Sequence, residues 1–182
     1  MTDELVPKLQ TFIRAKDPQG TAVLEGHDYL LKFSTLGAPQ ELRIQYIPRN
    51  SWTILYSARS PGATERWFVE SKWVWFPEHS GCARVKLASL DPRYKLFASD
   101  GPFLRSVVGS PEMTELLMQL PAENHFKANL KDGVLTLSWS VRFNPASNDR
   151  NGILLNCAIV MSQLGGQCFK SLQVARMVKG SE

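Results

Sequence analysis

The sequence predicts an α+β fold: a largely antiparallel sheet, a meander followed by a β-α-β-hairpin, with an N-terminal, a middle and a long C-terminal helix packed on it. Three observations predict it. Between residues 21 and 88 apolar and polar side chains alternate singly, as in Leu42, Ile44 and Tyr46 against Arg43 and Gln45, the period of a strand with one covered face. Ser110-Pro111-Glu112 then announces a helix: a hydroxyl cap, a proline at the first helical position and an acid near the positive end of the dipole. Finally, Asp132-Gly133 separates two alternating segments, a strong signal for a two-residue hairpin.

Taken in order, Leu9, Phe12 and Ile13 recur at helical spacing over residues 7–15, with Pro7 suited to a first turn and Asp17-Pro18-Gln19-Gly20 to a stop. Tyr29, Leu31 and Phe33 begin the alternating half, followed by the Leu42 segment and by Trp52, Ile54 and Tyr56. Turn-forming clusters divide these segments, namely Gly37-Ala38-Pro39, residues 48–51 and Ser60-Pro61-Gly62. Connections this short favour antiparallel neighbours, so a meander is expected here. Residues 66–76 are apolar on both parities near their end, which suits a central strand, and Val85 and Leu87 resume the alternation.

Tyr94 to Ala98 is extended, residues 103–108 begin a helical turn or two, and Met113, Leu116, Leu117 and Leu120 supply a buried helical stripe before Pro121. Phe126, Ala128 and Leu130 then face Leu135, Leu137 and Trp139 across the hairpin. Ile153, Leu154, Cys157, Val160, Met161 and Leu164 form a wide helical stripe; Gly165-Gly166 either ends that helix or marks close packing, and residues 167–178 extend it if it continues. No linker-like stretch interrupts the 182 residues, which are read as one domain, 1–182.

Composition narrows the function. With 43% hydrophobic and 21% charged residues the chain is of globular type. No apolar run approaches the ~20 residues of a membrane-spanning helix, and the acidic Met1-Thr2-Asp3-Glu4 leads into no signal core. A soluble, cytoplasmic protein is expected. Cys82, Cys157 and Cys168 are odd in number. On one uninterrupted helix Cys157 and Cys168 would stand ~16 Å apart, beyond disulfide reach, so reduced thiols are expected. The net charge of +4 arises from scattered basic residues without a run of like charge, which argues against a nucleic-acid arm.

Candidate chemistry is sparse. In Glu78-His79-Ser80-Gly81-Cys82, His79 and Cys82 have the spacing of half a zinc site or of a base and a thiol, but zinc needs a second ligand pair that His27, His125, Cys157 and Cys168 do not supply. Neither a Gly-x-Ser-x-Gly elbow, a His-Glu-x-x-His pair nor a phosphate-binding glycine loop occurs. No catalytic, metal or cofactor residues are therefore assigned. Trp73 and Trp75 share one strand face with Lys72 opposite, suiting core packing over a stacking platform. Trp52 and Trp67, nearer to turns, are expected to be more exposed and, with His79 and Cys82, make the candidate binding surface.

Tyr94-Lys95-Leu96-Phe97-Ala98-Ser99-Asp100, then Arg105, Ser110-Pro111-Glu112 and Leu116-Leu117, resembles an uncharacterised family of bacterial domains. In that family an extended segment ending in Ser-x-Asp precedes an Arg and a Thr-Pro-led helix, with a hairpin and a helix following. The resemblance covers the C-terminal half, implies a bacterial source and no catalytic residue, and departs at Ser110, where Thr is usual; family members are often attached to transmembrane helices. The function expected is a non-enzymatic protein-interaction or binding module, engaging another protein or a second copy through a sheet edge or an aromatic patch. One alternative is a carrier enclosing a small apolar ligand between sheet and helix; another is a thiol or hydrolytic enzyme centred on His79 and Cys82.

Overall fold

The computed structural model describes residues 29–35, 38–47, 51–72, 79, 81–120, 125–142 and 150–180. The helix expected over residues 7–15 lies outside them, as do His27, Trp73 and Trp75. The described residues form strands β1 (Tyr29–Thr35), β2 (Ala38–Ile47), β3 (Ser51–Arg59), β4 (Trp67–Ser71), β5 (Ala83–Val85), β6 (Tyr94–Ala98), β7 (His125–Lys131) and β8 (Val134–Arg142). Three helices accompany them: α1 (Gly101–Val108), α2 (Pro111–Gln119) and α3 (Arg150–Lys179). The strands make one 8-stranded sheet in the order β1-β2-β3-β8-β7-β4-β6-β5, with every pair antiparallel. The fold is α+β, as the sequence predicts.

The order corrects one expectation. The meander stops at β3, because the late hairpin β7–β8 enters the middle of the sheet, between β3 and β4. After β3 the chain turns at Ser60, whose carbonyl accepts from the Ala63 amide at 3.1 Å, and resumes beyond the hairpin. The Ser60 amide donates to the Gly133 carbonyl at 2.8 Å, fixing that turn to the tip of the hairpin. At the tip Asp132 and Gly133 have φ of 52° and 71°, the left-handed pair that a two-residue type I′ turn requires.

Strand register aligns the core residue by residue. Leu42, Tyr56, Leu137, Ala128, Val69, Leu96 and Val85 follow one another across seven strands, and all are buried. This face carries the three described helices: α3 packs on β2, β3 and β8, α1 on β5 and β6, and both α1 and α2 lie against α3.

Local chemistry sets the helix ends. Asp100, extended in φ and ψ, accepts from the Phe103 amide at 2.9 Å and caps α1; the Ser110 hydroxyl accepts from the Met113 amide at 3.2 Å and caps α2. Leu120 takes an extended ψ of 136°, as a residue preceding proline favours. Arg93 then donates to the carbonyls of Met118 at 2.6 Å and Leu120 at 2.9 Å, and the Tyr94 hydroxyl donates to that of Leu117 at 2.6 Å. These bonds satisfy acceptors that a helix end leaves open. Burial pushes the Tyr94 hydroxyl up to about 12, against the opposing pull of Arg93, so it remains a donor at neutral pH.

Helix α3 runs unbroken through Gly165-Gly166. A Cβ on Gly165 would stand 2.4 to 2.6 Å from ring carbons of Tyr56, so glycine is what lets the helix seat on that ring. Leu154, Ala158, Met161, Leu164, Cys168 and Leu172 form the buried stripe at three- and four-residue spacing. Ile153, expected in the stripe, is exposed. All three cysteines are free. Burial pushes Cys157 up to about 11 and Cys168 up to about 12, which suppresses the reactive thiolate at neutral pH.

Candidate binding face of the sheet

A strand sends alternate side chains to opposite faces, so each residue beside a core position emerges on the side away from the helices. Across the sheet these are Arg43, Leu55, Ser138, Lys127, Glu70 and Lys95 in one row. Glu41, Ser57, Thr136, Asn129, Phe68, Phe97 and Arg84 make the next. Lys32 pairs with Glu41 and both Arg59 and Lys131 with Val134, placing all three cations on this open face as well.

The two faces differ in charge. Among the core-facing strand positions whose burial is described none is ionic, and the polar groups include Gln40, Ser71 and the hydroxyls of Tyr56 and Tyr94. Tyr56 donates to Gln40 Oε1 at 2.8 Å, and burial raises its hydroxyl far above the usual tyrosine value, with Cys168 adding to the effect. On the open face the cations are opposed within the strands only by Glu41 and Glu70, among the described residues. Lys32 is held by Glu41 at 3.6 Å and Arg84 by Asp91 at 3.5 Å. Arg43, Arg59, Lys127 and Lys131 are exposed, and no ion pair reaches them among the described residues.

Between these cations lies a floor of small side chains. Strands β3 and β8 contribute Thr53, Leu55 and Ser57, and Thr136, Ser138 and Ser140, all half-buried. Flanking β2 and β7 contribute the long side chains of Arg43, Lys127 and Lys131. Small uncharged side chains thus lie between Arg43 on β2 and Lys127 and Lys131 on β7, with Arg59 at the end of β3.

Toward β4 and β6 the open face carries one compact cluster. His79 Nε2 lies 3.2 Å from Glu70 Oε1, with side-chain exposures of 11% and 6%. That separation is ion-pair distance, yet the approach lacks hydrogen-bond geometry, and Glu70 Oε2 has no hydrogen-bond partner. The imidazole stacks on Phe68 with centroids 3.7 Å apart and planes at 9°, and meets Phe97 edge-on at 5.1 Å. Arg84 lies over the other ring, 5.5 Å from the Phe97 centroid, within cation–π range.

Two of the sequence-predicted surface residues are displaced by this geometry. Trp52 and Trp67 are 3% and 0% exposed, on the helix-covered side, so neither is a surface residue. Proximity to a turn misled, because parity and not distance from a strand end decides which face a side chain takes. His79 and Cys82 are on the other side, but they do not work as a pair. The His79 ring is directed to Glu70, whereas the Cys82 thiol donates to the Arg66 carbonyl at 3.6 Å. Their direct link is through the backbone, the Cys82 amide donating to the His79 carbonyl at 2.9 Å. No cluster of three potential metal ligands occurs among the described residues. No described helix is long and apolar enough to cross a membrane.

The sequence reading missed the flanking cations and the Glu70–His79 contact. Arg43, Lys95 and Lys127 were visible as the partners of core residues in each alternating pair, so sorting basic residues by parity would have gathered them. Nothing local joins Glu70 to His79, which meet only through the fold.

No family model and no curated protein matches the sequence. Among solved structures the chain is similar to the crystal structure of the mycobacterial trehalose monomycolate transport factor A, TtfA. The TM-score is 0.46 at 10% sequence identity, covering 76% of this chain and 70% of that one.

Proposed function

We propose that the chain is a non-enzymatic binding module whose open sheet face receives an acidic surface of a partner protein. The observation that carries this is the segregation of charge: Arg43, Arg59, Lys127 and Lys131 stand exposed on one face of a sheet whose other face has no ionic side chain among the described residues. Complementary potentials steer and orient association more than they add raw affinity, which suits a polar surface of this kind. Nucleic acid fits less well, because the rings available for base stacking, Phe68 and Phe97, are already covered by His79 and Arg84. An apolar-ligand carrier fits less well too, since Gly165 closes the centre of the sheet–helix layer on Tyr56. A thiol enzyme would need Cys82 turned toward a base, and its proton points to a carbonyl.

The same reading keeps the chain in a reducing cytoplasm, supported by Cys157 and Cys168 being held apart on one helix. It also keeps the C-terminal half with the bacterial family it resembles, supported by the succession of β6, the capped α1 and α2, the β7–β8 hairpin and α3.

The test uses labelled poly-L-glutamate as probe and fluorescence anisotropy as readout. The double reversal Arg43→Glu with Lys127→Glu is expected to weaken binding by about tenfold or more, while Lys170→Glu, an exposed cation on α3, changes it less than about twofold. Equal losses from both variants would overturn the assignment of the face. Tighter binding to a single-stranded oligonucleotide or to phosphatidylglycerol vesicles, lost in the same double reversal, would overturn the choice of a protein partner.

A further inference from the structure

We infer that the element received by this face is an α-helix with acidic flanks, lying along β3 and β8 between Arg43 and Lys127. The inference rests on the acidic-partner reading above and goes on to the shape of what binds. Its first support is width. Arg43 on β2 and Lys127 on β7 occupy one register row with Leu55 and Ser138 between them. They are thus three strand spacings apart, roughly 14 Å, and a helix with its side chains is ~10–12 Å across. Between them, from Thr53 to Ser57 on β3, the floor carries no residue larger than Leu55, a stretch of about 17 Å, and Arg59 stands at the end of the same strand.

The second support is backbone chemistry. Strands β3 and β8 are each bonded on both sides, β3 to β2 and β8, β8 to β3 and β7. Their amides and carbonyls are committed to the sheet and offer nothing to an incoming chain. An extended segment laid on this face would lose water from its own backbone groups without gaining partners, a costly arrangement. A helix arrives with those groups already satisfied and presents only side chains. Small residues along its contacting face would meet Ser57, Thr136 and Ser138, and glutamates or aspartates on either side would reach Arg43 and Lys127.

Two synthetic probes of identical composition separate the possibilities. One is an alanine-based peptide with glutamates in two rows on either side of an alanine stripe. The other has the same residues with D-amino acids at alternate positions, which forbids the helix. Each is titrated against the full chain, against Arg43→Glu/Lys127→Glu, and against Ser138→Tyr, which fills the floor and leaves every cation in place. The expected result is about tenfold tighter binding of the helical peptide, lost in both variants. Equal binding of the two peptides, lost in the double reversal and kept in Ser138→Tyr, overturns the helical occupant and leaves the acidic-partner reading standing. Binding of both peptides unchanged by the double reversal overturns the two together. Circular dichroism of each variant confirms that a loss is not unfolding.

Discussion

The helix-covered and open faces of the sheet are built from the same strands, one residue out of step, yet they obey different physics. On the covered side the row from Leu42 to Val85 is sealed by α1 and α3, and even a missing Cβ at Gly165 is matched to the ring beneath it. Interiors this dense respond to any change of volume. On the open side, long cations and small hydroxyls meet water, and their replacement changes charge without disturbing packing. The difference teaches where to look for function in a chain without catalytic motifs. Cohesion requires one parity, so the composition of the other parity is free to record what the surface meets.

The largest expected effect lies on the covered face. Trp67→Ala is expected to lower stability by ~3–5 kcal/mol, the range for truncating a buried aromatic, as read by urea denaturation. Trp67→Phe should recover most of that loss, because the indole Nε1–H makes no hydrogen bond and its removal leaves no acceptor stranded. Lys127→Ala on the open face should stay within about 0.5 kcal/mol. A small effect of Trp67→Ala would break the comparison by returning that tryptophan to the surface where the sequence reading placed it.

The open face has one exception to its tolerance, and a second experiment uses it. Glu70 and His79 are buried there, beside Phe68 and Phe97. Removing one member of a buried polar contact strands the other, at a cost of about 1–3 kcal/mol, whereas replacing both by apolar or neutral groups of like volume is often nearly neutral. His79→Ala should therefore destabilise by about 2–3 kcal/mol, from the lost stack on Phe68 and the stranded carboxyl, and Glu70→Gln with His79→Phe by much less, keeping a ring stacked on Phe68. If the single and double variants are equally unstable, the Glu70–His79 contact contributes nothing and the ring stack alone holds the cluster.

These two experiments also mark what could be read from the sequence. Ser110-Pro111 and Asp132-Gly133 were legible because capping and turn geometry are local: the hydroxyl and the left-handed φ sit within three residues of what they organise. The strand segments were legible by period. Their neighbours were not, since alternation identifies a strand but carries no record of which strand lies beside it, and so β7–β8 could enter between β3 and β4 unannounced. Parity likewise separated Trp67 and Val69 from Phe68 without saying which set the helices would cover. The flanking cations were hidden for the same reason. Arg43, Lys127 and Lys131 are far apart in the chain, and only the inserted hairpin brings β7 to within three strands of β2.

A smaller loss than in either Trp67→Ala or His79→Ala is expected where α3 ends and fastens the helix layer to the loops of the sheet. Lys179 Nζ donates to Glu65 Oε1 at 2.9 Å and to Asp100 Oδ2 at 2.8 Å, while Arg176 and Gln173 donate to the Ser60 hydroxyl at 3.0 and 3.3 Å. Burial alone would raise the Glu65 carboxyl, but the Lys179 bond and charge and local amides outweigh it and hold it low. The Lys179 bond and the Phe103 amide hold Asp100 low. Carboxyls depressed in the folded state contribute stability that is complete above their unfolded values, about 3.9 and 4.3, and that fades as pH falls through the folded ones. Lys179, raised by those same hydrogen bonds, contributes below its unfolded value of about 10.4 and loses its share only as pH climbs past the raised one. Because its ammonium is half exposed, Lys179→Ala is expected to cost only ~0.5–1 kcal/mol. That cost should be level from about pH 5 to 10 and shrink below about pH 4. A cost that persists unchanged at pH 3 would mean that the Lys179 ammonium over the Phe103 ring, and not its pairing with Glu65 and Asp100, fastens the helix end.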